Sequence, residues 1–437
     1  MSAELAGLLG LGLLLLVFLT GMPVAYAMAL VGWLGFAWLV NPAAGLKLLA
    51  RDMYSTFTSY GLIVIPLFTF MGQLALAAGV SSRLYQMAYR FTGSTRGGLA
   101  MATCLACTAF GSVCGSSSAT AATMATVGLP EMRRYGYSPR LAAGTVAAGG
   151  SMGMLMPPSV VLIVYGVITQ ESIGRLFVAG VLPAVIITGL LMAAVALVCA
   201  RRPEMGPAGQ RFTWGEKLAS LWELGEVLAV FGLVMGGLVG GLFTPTEAGA
   251  VGSAGLVLVG LARRQLTWGG FWRAVTDTLW TSCMTLMLVA GAVVFGHFLA
   301  VTRLPFALAH MVQSLDWPGG AVMAAIVAVY LVGGCFVDAL ALIMLTVPIF
   351  SPVVSGLGYD PIWFGVIIVL VTQMGVITPP VGINVYVVHG VDPSISLADI
   401  FRGSAPFLWA LIAGTALFIL WPRLILVLPD LVFATGG

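Results

Sequence analysis

Long apolar stretches, separated by short polar segments, run along the whole chain. A helix needs about 20 apolar residues to cross a bilayer, so these stretches predict membrane-spanning helices. The predicted spans are residues 6–20 and 24–40 (two short spans or one bent span), 61–80, 138–168, 177–200, 225–243, 247–262, 278–300, 361–390 and 404–428. The pattern predicts an all-α protein that crosses the membrane several times.

Two further apolar stretches are interrupted near their middles. Residues 97–130 contain GSVCGSSSAT, and residues 319–357 contain GGCFVDAL. Each half is too short to cross a hydrocarbon core of about 30 Å. Both stretches are therefore predicted to be re-entrant hairpins, in which two short helices enter and leave the membrane on the same side.

The composition indicates a membrane protein without its own nucleotide site. Of the 437 residues, 60% are hydrophobic and 8% are charged, whereas soluble domains use about 25% charged residues. Neither Lys47 nor Lys217 follows the G-x-x-x-x-G-K-[ST] spacing of a phosphate-binding loop. Uphill transport would therefore draw its energy from an ion gradient or from a partner. The apolar N-terminus lacks the basic region of a signal peptide, so we expect it to be retained.

Basic residues orient the predicted spans. They are concentrated on one side, which the positive-inside rule makes cytoplasmic. This side carries Arg133, Arg134, Arg140, Arg201, Arg202, Arg211, Lys217, Arg263, Arg264 and Arg273, and the opposite side carries mainly Arg175 and Arg303. Residues 82–91 and 263–275 mix arginine with aromatic residues, so each is predicted to be a helix in the membrane interface, with an ordinary loop as the alternative.

The sequence contains two copies of one unit, related by a shift of 222 residues. This shift aligns Gly111 with Gly333, and it aligns MGMLMPP (152–158) with MGVITPP (374–380). Five predicted spans separate the two hairpins, and an odd number places the hairpins on opposite sides of the membrane. The repeats are therefore predicted to be inverted, as in secondary transporters that bind substrate and ions at the midplane between discontinuous helices.

The two proline pairs predict breaks within spans 138–168 and 361–390. Proline removes a backbone donor and clashes with the carbonyl one turn earlier. Non-helical backbone at this depth survives only beside protein or a water-filled cavity. Carbonyl oxygens freed at a break suit a hard cation such as Na⁺, and the alternative is a simple kink. These carbonyls lie around Gly153, Met156, Gly375 and Thr378.

The hairpin tips supply the other half of each predicted site. Hydroxyls of Ser116, Ser117 and Ser118 can cap the helix that begins near Ala119. The exposed N–H groups at its positive end suit a carboxylate, and the alternative is close packing by small residues. Asp338 replaces Ser116 in the second copy, and an ionisable residue in an apolar hairpin predicts either a functional cavity or a structural partner.

Other residues carry weaker signals. The predicted substrate cavity contains Ser117, Pro157, Pro379 and Asn384. His297, His310 and His389 are interpreted as packing or interface histidines, not as proton relays. Cys104 and Cys107 form a C-x-x-C pair with no second pair at metal-ligand spacing, so they are interpreted as small buried residues.

These motifs together resemble the large membrane subunit of tripartite ATP-independent periplasmic (TRAP) transporters, in the wider ion-transporter superfamily. The matching segments are GSSSATAA, PEMRRYGYSP, GMLMPPSVVLIVYG, SIGRLFVAGVLP, GLFTPTEAGAVG, FVDALA and ITPPVGINVYVV. The resemblance implies sodium-driven uptake of an organic acid, such as a C4-dicarboxylate or sialic acid, across the bacterial inner membrane. It also implies two partners: a small membrane subunit, expected as a separate polypeptide, and a periplasmic substrate-binding protein.

The resemblance further implies an elevator mechanism, in which a transport domain slides against a scaffold. The scaffold would comprise residues 1–95 and 201–318, with spans and interfacial arms. The transport repeats would comprise residues 96–200 and 319–437, the latter with the last span. The implied sodium ligands are Ser116, Ser117, Ser118, Gly153, Met156 and Pro158 in the first repeat, and Gly333, Asp338, Gly375, Thr378 and Pro380 in the second.

Other functions fit parts of the pattern. A stand-alone sodium-coupled anion symporter or a sodium/proton antiporter of the same superfamily would share the hairpins and need no periplasmic protein. A serine protease using Ser116 or Ser117 would need a base within hydrogen-bond reach, but the first hairpin and its broken helix contain neither His nor Lys. A purely structural protein would not need polar broken helices.

Overall fold

A computed structural model describes residues 3–223, 225–314 and 318–433. Regular structure in these ranges is helical. The α-helices are α1 (Ala3–Phe18), α2 (Val24–Leu39), α3 (Pro42–Phe57), α4 (Val64–Ala77), α5 (Val80–Thr92), α6 (Gly98–Cys114), α7 (Ser117–Arg134), α8 (Pro139–Gly150), α9 (Val160–Thr169), α10 (Ile173–Arg201), α11 (Trp214–Glu223), α12 (Gly225–Val239), α13 (Pro245–Ala262), α14 (Trp268–Thr302), α15 (Leu304–Ser314), α16 (Gly319–Gly334), α17 (Ala339–Gly356), α18 (Pro361–Gly375), α19 (Ile383–Val391), α20 (Leu397–Leu420) and α21 (Arg423–Phe433). The predicted units 1–95, 201–318 and 319–437 extend in part outside the described residues.

Six of the described helices are individually long and apolar enough to cross a membrane. They are α4 with the short 3-10 turn before it, α10, α13, α14, α17 and α20. Shorter apolar helices, among them α1, α2, α6, α9, α16 and α18, accompany them. These lengths and compositions confirm the prediction of an all-α protein with several membrane-spanning helices.

The N-terminal region 6–40 forms two helices, not one bent span. Between α1 and α2, Gly21 has a φ of +79°, and Pro23 occupies the N-cap of α2. Helix α2 packs against α14, and Gly32 allows close approach, because a Cβ there would lie 2.7 Å from the backbone of Phe295. Both short helices, α1 and α2, therefore contact α14 as well as each other.

Of the two helices predicted to lie in the membrane interface, the one at residues 263–275 does not exist as a separate helix. Residues 82–91 lie within helix α5, although its position in the interface stays a prediction. Residues 263–275 do not form a separate helix, because Trp268 begins the 35-residue α14, which continues to Thr302. The side chain of Thr267 caps this helix by accepting a hydrogen bond from Gly270 N at 3.1 Å. No proline interrupts α14, so the aromatic segment and the following span form one helix.

The predicted last span, residues 404–428, is wrong at both ends. Helix α20 begins earlier, at Leu397, where the Ser396 side chain accepts a hydrogen bond from Asp399 N. It ends at Leu420, and a second helix, α21, follows. Pro422 lies between the two helices, and proline lacks the N–H that would continue α20. The apolar composition continued past this break, so hydropathy alone did not reveal it.

Both predicted hairpins are helix pairs with short non-helical tips. Helix α6 ends at Cys114 and α7 begins at Ser117, with Gly115 making the turn at a φ of +65°. Helix α16 ends at Gly334 and α17 begins at Ala339. The breaks therefore lie within the polar segments from which they were predicted. The prediction that each half is too short to cross is wrong for α17, whose 18 residues are long and apolar enough to cross a membrane. That the hairpins re-enter the membrane stays a prediction.

Both predicted broken helices are interrupted at their proline pairs. A 3-10 turn, Ser151–Met154, and residues 155–159 separate α8 from α9, and residues 376–382 separate α18 from α19. Helix α19 packs on α7 and α8, so the second half of the second repeat lies against the first repeat. This packing brings both breaks and both tips into one helical unit.

Candidate functional site

The first hairpin tip packs directly on the first break, backbone against backbone. A Cβ on Gly153 would collide with the carbonyl oxygen of Ser116. A Cβ on Gly111 would lie 2.8 Å from the Cα of Gly153, and one on Gly115 would lie 2.9 Å from the carbonyl oxygen of Pro158. Because these positions lack side chains, backbone carbonyls of the tip and of the break can approach the same small volume.

Hydroxyl groups satisfy the start of α7 at this tip. The Oγ of Ser116 accepts a hydrogen bond from Ala119 N at 3.5 Å and lies 3.4 Å from the Oγ of Ser118. Thr120 Oγ1 donates to the carbonyl oxygen of Ser116 at 2.7 Å. The predicted serine cap is confirmed for Ser116, a neutral oxygen ligand, whereas Ser117 Oγ bonds to Asn384 and does not cap α7.

The second tip repeats this arrangement with a carboxylate. Asp338 is the N-cap of α17, and its Oδ2 accepts a hydrogen bond from Leu340 N at 3.0 Å. The backbones of Gly334 and Gly375 are in contact, so the tip again packs on the break without side chains between them. Asp338 is exposed, and no acidic or basic partner of its side chain is seen among the described residues.

The remaining predicted sodium ligands lie along the two breaks. Met156 is half-buried and Pro158 is buried in the first break. In the second break, Thr378 is half-buried and its Oγ1 donates to the carbonyl oxygen of Met374 at 2.6 Å, while Pro380 is exposed. Gly333 lies one residue before Gly334, which makes the backbone contact with Gly375. The structure thus groups the predicted ligands around two tip-and-break pairs.

Asn384 connects the two repeats. This side chain is fully buried on α19, its Oδ1 accepts a hydrogen bond from Ser117 Oγ at 2.9 Å, and its Nδ2 donates to Ala147 O at 2.9 Å. The bonds hold the first hairpin tip and the helix before the first break onto the second repeat. An amide oxygen cannot act as the base of a serine nucleophile, so the partner of Ser117 does not suit protease chemistry.

The two broken helices also meet at equivalent positions. Gln373 Nε2 donates to the carbonyl oxygen of Ser151 at 3.1 Å, and the repeat shift of 222 residues aligns these two residues. This bond brings matching positions of the two sequence repeats together beside their breaks.

A cavity of about 400 Å³ lies between the two tips and two other helices. Its lining includes Ser116, Ser117, Ser118 and Asp338 from the tips, Thr69 and Gln73 from α4, and Thr281 and Thr285 from α14. The lining does not include Pro157, Pro379 or Asn384, which were predicted to face a substrate. Pro157 is buried, Pro379 is exposed, and Asn384 reaches the cavity only through Ser117.

Sequence reasoning missed the α4 and α14 side of this cavity. The signal was present, because Thr69, Gln73, Thr281 and Thr285 are polar residues inside apolar spans. Hydroxyl and amide groups can nevertheless bond within their own helix, as Thr285 does to the carbonyl oxygen of Thr281 at 2.9 Å. Only the packing of α4 and α14 against the tips shows which polar groups share a cavity.

The histidines lie away from this cavity. Nδ1 of His297 is 2.7 Å from the buried Oδ2 of Asp52, beside a second cavity of about 510 Å³ that sequence reasoning did not foresee. Nδ1 of His389 donates to Ile395 O at 2.8 Å, and His310 is exposed. Within the described residues, no group of three or more His, Cys, Asp or Glu side chains could hold a metal ion.

The fold has close counterparts among solved transporter structures. The Alcanivorax borkumensis YdaH transporter superposes with a TM-score of 0.64 at 15% sequence identity, over 88% of this chain and 90% of that chain. Neisseria gonorrhoeae MtrF superposes with a TM-score of 0.54 at 14% identity, over 87% and 85% of the two chains. The chain therefore shares its fold with these two proteins.

Sequence comparison gives the family. Residues 11–424 match the family "Tripartite ATP-independent periplasmic transporter, DctM component". The chain is 34% identical over 383 residues to the C4-dicarboxylate TRAP transporter large permease protein DctM of Pseudomonas aeruginosa, covering 87% of this chain and 89% of the relative. It is 33% identical over 418 residues to the sialic acid TRAP transporter large permease protein SiaM of Vibrio cholerae, covering 95% and 96%. The chain belongs to the DctM family of TRAP transporter large permeases and is a multi-pass protein of the bacterial inner membrane.

Proposed function

We propose that this chain is the sodium-coupled transport subunit of a TRAP system that imports an organic acid. The observation that carries the proposal is the shared cavity, in which two tip-and-break pairs face the polar side chains of α4 and α14. One partner would be a periplasmic binding protein that delivers the acid, and the other a small membrane subunit. Membership of a tripartite family supports both partners.

Sodium binding is supported by the chemistry of the tips. Backbone carbonyls, serine hydroxyls and one carboxylate are hard oxygen ligands, which bind small hard cations in preference to soft metals. The glycine contacts at Gly153 and Gly375 allow tip and break to contribute oxygens to the same ion. We propose one sodium ion at each tip, with Asp338 supplying negative charge only at the second.

A carboxylate substrate is supported by the form of the cavity. Helices α7 and α17 both begin at its wall, and a helix N-terminus carries partial positive charge and free N–H donors. Bound sodium would add positive charge beside them. The relatives are named for C4-dicarboxylate, sialic acid, ectoine and isethionate, each of which carries an acidic group. We propose a small organic anion of this class as the substrate.

An elevator movement is supported by the division of the cavity wall. The tips and breaks pack on one another through glycine backbones and through Asn384, so they would move as one unit. The other wall belongs to α4 and α14, and α14 packs along α2 and α3. Sliding of the first unit along α14 would carry ions and substrate together while the second wall stays fixed.

Reconstituted vesicles test the proposal. The full chain, with its small membrane subunit and a panel of periplasmic binding proteins loaded with radiolabelled organic acids, is placed in liposomes with an inward sodium gradient. We expect uptake that needs the gradient, the small subunit and one of the binding proteins. Robust sodium-driven uptake by the chain without partners would favour a stand-alone symporter. Uptake unchanged by collapse of the sodium gradient would contradict sodium coupling.

A further inference from the structure

We propose that a pocket of four arginines on the predicted cytoplasmic side binds the phosphate of an anionic phospholipid. The pocket has a volume of about 240 Å³ and lies where α8, α10 and α20 end or begin. Its basic residues are Arg140, Arg201, Arg202 and Arg402. It is separate from the cavity between the tips, and nothing in the proposed transport cycle uses it.

The arginines gather without an acidic counterpart. None of the four forms an ion pair within 4.0 Å among the described residues, and the pocket lining contains no Asp or Glu. Glu204 follows in the sequence but does not line the pocket. Arginine keeps its charge at all physiological pH values, so four guanidinium groups repel one another unless an anion lies between them. The pocket therefore carries positive charge that this chain does not neutralise and that would favour a negative ligand.

A cavity around Arg133, also on the predicted cytoplasmic side, differs from the four-arginine pocket in how its charge is balanced. It is lined by Arg133 and Arg134, and there Arg133 forms an ion pair with Asp392. That cavity neutralises part of its charge with a residue of this chain. The four-arginine pocket has no such residue, which indicates that its counter-charge comes from another molecule.

The rest of the pocket is apolar. Leu141, Val198, Met205 and Pro406 complete the lining with Gly403. A free phosphate ion would gain nothing from these side chains, whereas the glycerol and first acyl carbons of a lipid would pack on them. Leu197, next to the lining residue Val198 on α10, is 53% exposed, and Trp409, three residues after Pro406 on α20, is 70% exposed. Apolar surface is thus available near the pocket for a lipid chain.

The ligand chemistry that fits these observations is a phosphodiester with attached hydrocarbon. Planar guanidinium groups bind phosphate oxygens in pairs. Basic pockets between membrane helices on the cytoplasmic side suit anionic lipid head groups, because the inner leaflet holds such lipids at high local concentration. We assign the pocket to phosphatidylglycerol or cardiolipin, which share this phosphodiester.

Lipid binding by the purified full-length chain tests the assignment. Thermal unfolding and native mass spectrometry are measured in neutral detergent with added dioleoylphosphatidylglycerol, dioleoylphosphatidylcholine or inorganic phosphate. The test variant is Arg201→Gln/Arg402→Gln. The matched control is Arg211→Gln/Arg264→Gln, which removes the same charge from exposed positions outside the pocket. We expect the parent and the control to bind phosphatidylglycerol at least about tenfold more tightly than the test variant, since two charge-assisted contacts are lost.

The lipid-free proteins separate binding from folding. Without lipid, the test variant should be at least as stable as the parent, because removal of two charges relieves repulsion within the pocket. A less stable variant would instead indicate a structural role for the arginines and would contradict the proposal. Equal binding of the two lipids by the parent would also contradict it. Stabilisation by inorganic phosphate alone, to the same extent as by lipid, would overturn the lipid assignment.

Discussion

The two copies of the repeated unit share a backbone plan but differ in charge and exposure. Both press a hairpin tip onto a broken helix through glycine backbones. In the first copy, the cap is the neutral Ser116 and Pro157 is buried. In the second, the cap is Asp338, and Pro379 is exposed. The comparison indicates that the backbone arrangement is the common requirement, whereas the charge at the tip is particular to one copy.

The outer ends of the copies differ as well. Arg133 at the end of α7 forms an ion pair with Asp392 after α19 and bonds Ser394 Oγ at 3.1 Å. The repeat shift of 222 residues relates these positions to Ser355 and Gln170, which carry no charge. The end of α7 in the first repeat is thus joined to the second repeat by an ion pair, whereas the equivalent end of α17 has no charged pair at the matching positions.

The largest effect is expected from filling the glycine contacts. Gly153→Ala and Gly375→Ala should each lower the free energy of unfolding by about 1–3 kcal/mol, because the new methyl group would overlap backbone atoms of the tip. Sodium-dependent uptake should be lost in both variants. Gly189→Ala is the matched control, since nothing lies within 4 Å of its Cβ position. Thermal unfolding measures the stability of each variant. If only one of the two glycine substitutions lowered it, close backbone packing of tip on break would not be a requirement common to both copies.

Loss of the link between the copies should have the next largest effect. Asn384→Ala removes a buried amide and leaves Ser117 and Ala147 O without their partner, at a cost of about 1–3 kcal/mol. Ser117→Ala should cost less, because it removes one of the two bonds. The double variant should lose less stability than the two single variants lose together, because the shared bond can be removed only once, and a double-mutant cycle measures this coupling. Full additivity would show that the Ser117–Asn384 bond contributes no stability.

The charge difference between the tips predicts unequal responses to sodium. Asp338→Asn should raise the sodium concentration for half-maximal uptake about tenfold, because it removes the negative charge proposed beside the second ion, and tenfold corresponds to about 1.4 kcal/mol. Ser116→Ala at the equivalent position should change it less, since backbone carbonyls remain. Protection from thermal unfolding by sodium gives an independent measurement. An unaltered sodium response in Asp338→Asn would assign this residue to capping of α17 alone.

The smallest effect is expected at the ion pair between the copies. Hydrogen bonds from Ser394, together with the charge of Arg133, hold the pKa of Asp392 below its usual value. A depressed pKa contributes stability above the unfolded-state pKa of about 3.9, and this contribution is lost as the pH falls through the folded-state pKa. Asp392→Asn should therefore destabilise the protein by less than about 1 kcal/mol at pH 7, and the effect should disappear once the pH falls below the lowered folded-state pKa of Asp392. A difference that persists at low pH would contradict an electrostatic origin.

Much of the fold was predictable because its signals are local. Proline pairs interrupt helices wherever they occur, so the breaks at MGMLMPP and MGVITPP were placed correctly. The tips were found from small and polar residues within apolar sequence. The ends of α14 and α20 were misplaced, since an amphipathic segment can continue a span as one helix and an apolar composition can continue past a helix end.

The sequence by itself determined the helical membrane class, the repeated unit, the two tips with their caps and the positions of the breaks. The class, the tips and the breaks depend on residues close together along the chain, and the repeat requires only a comparison of the sequence with itself. Tertiary structure alone decided that Asn384 joins the first tip, that Thr69 and Thr285 face Asp338 across one cavity, and that Arg402 lies beside Arg140. These groups are far apart along the chain, and an apolar helix packs equally well by composition on many neighbours, so hydropathy does not specify which polar side chains meet.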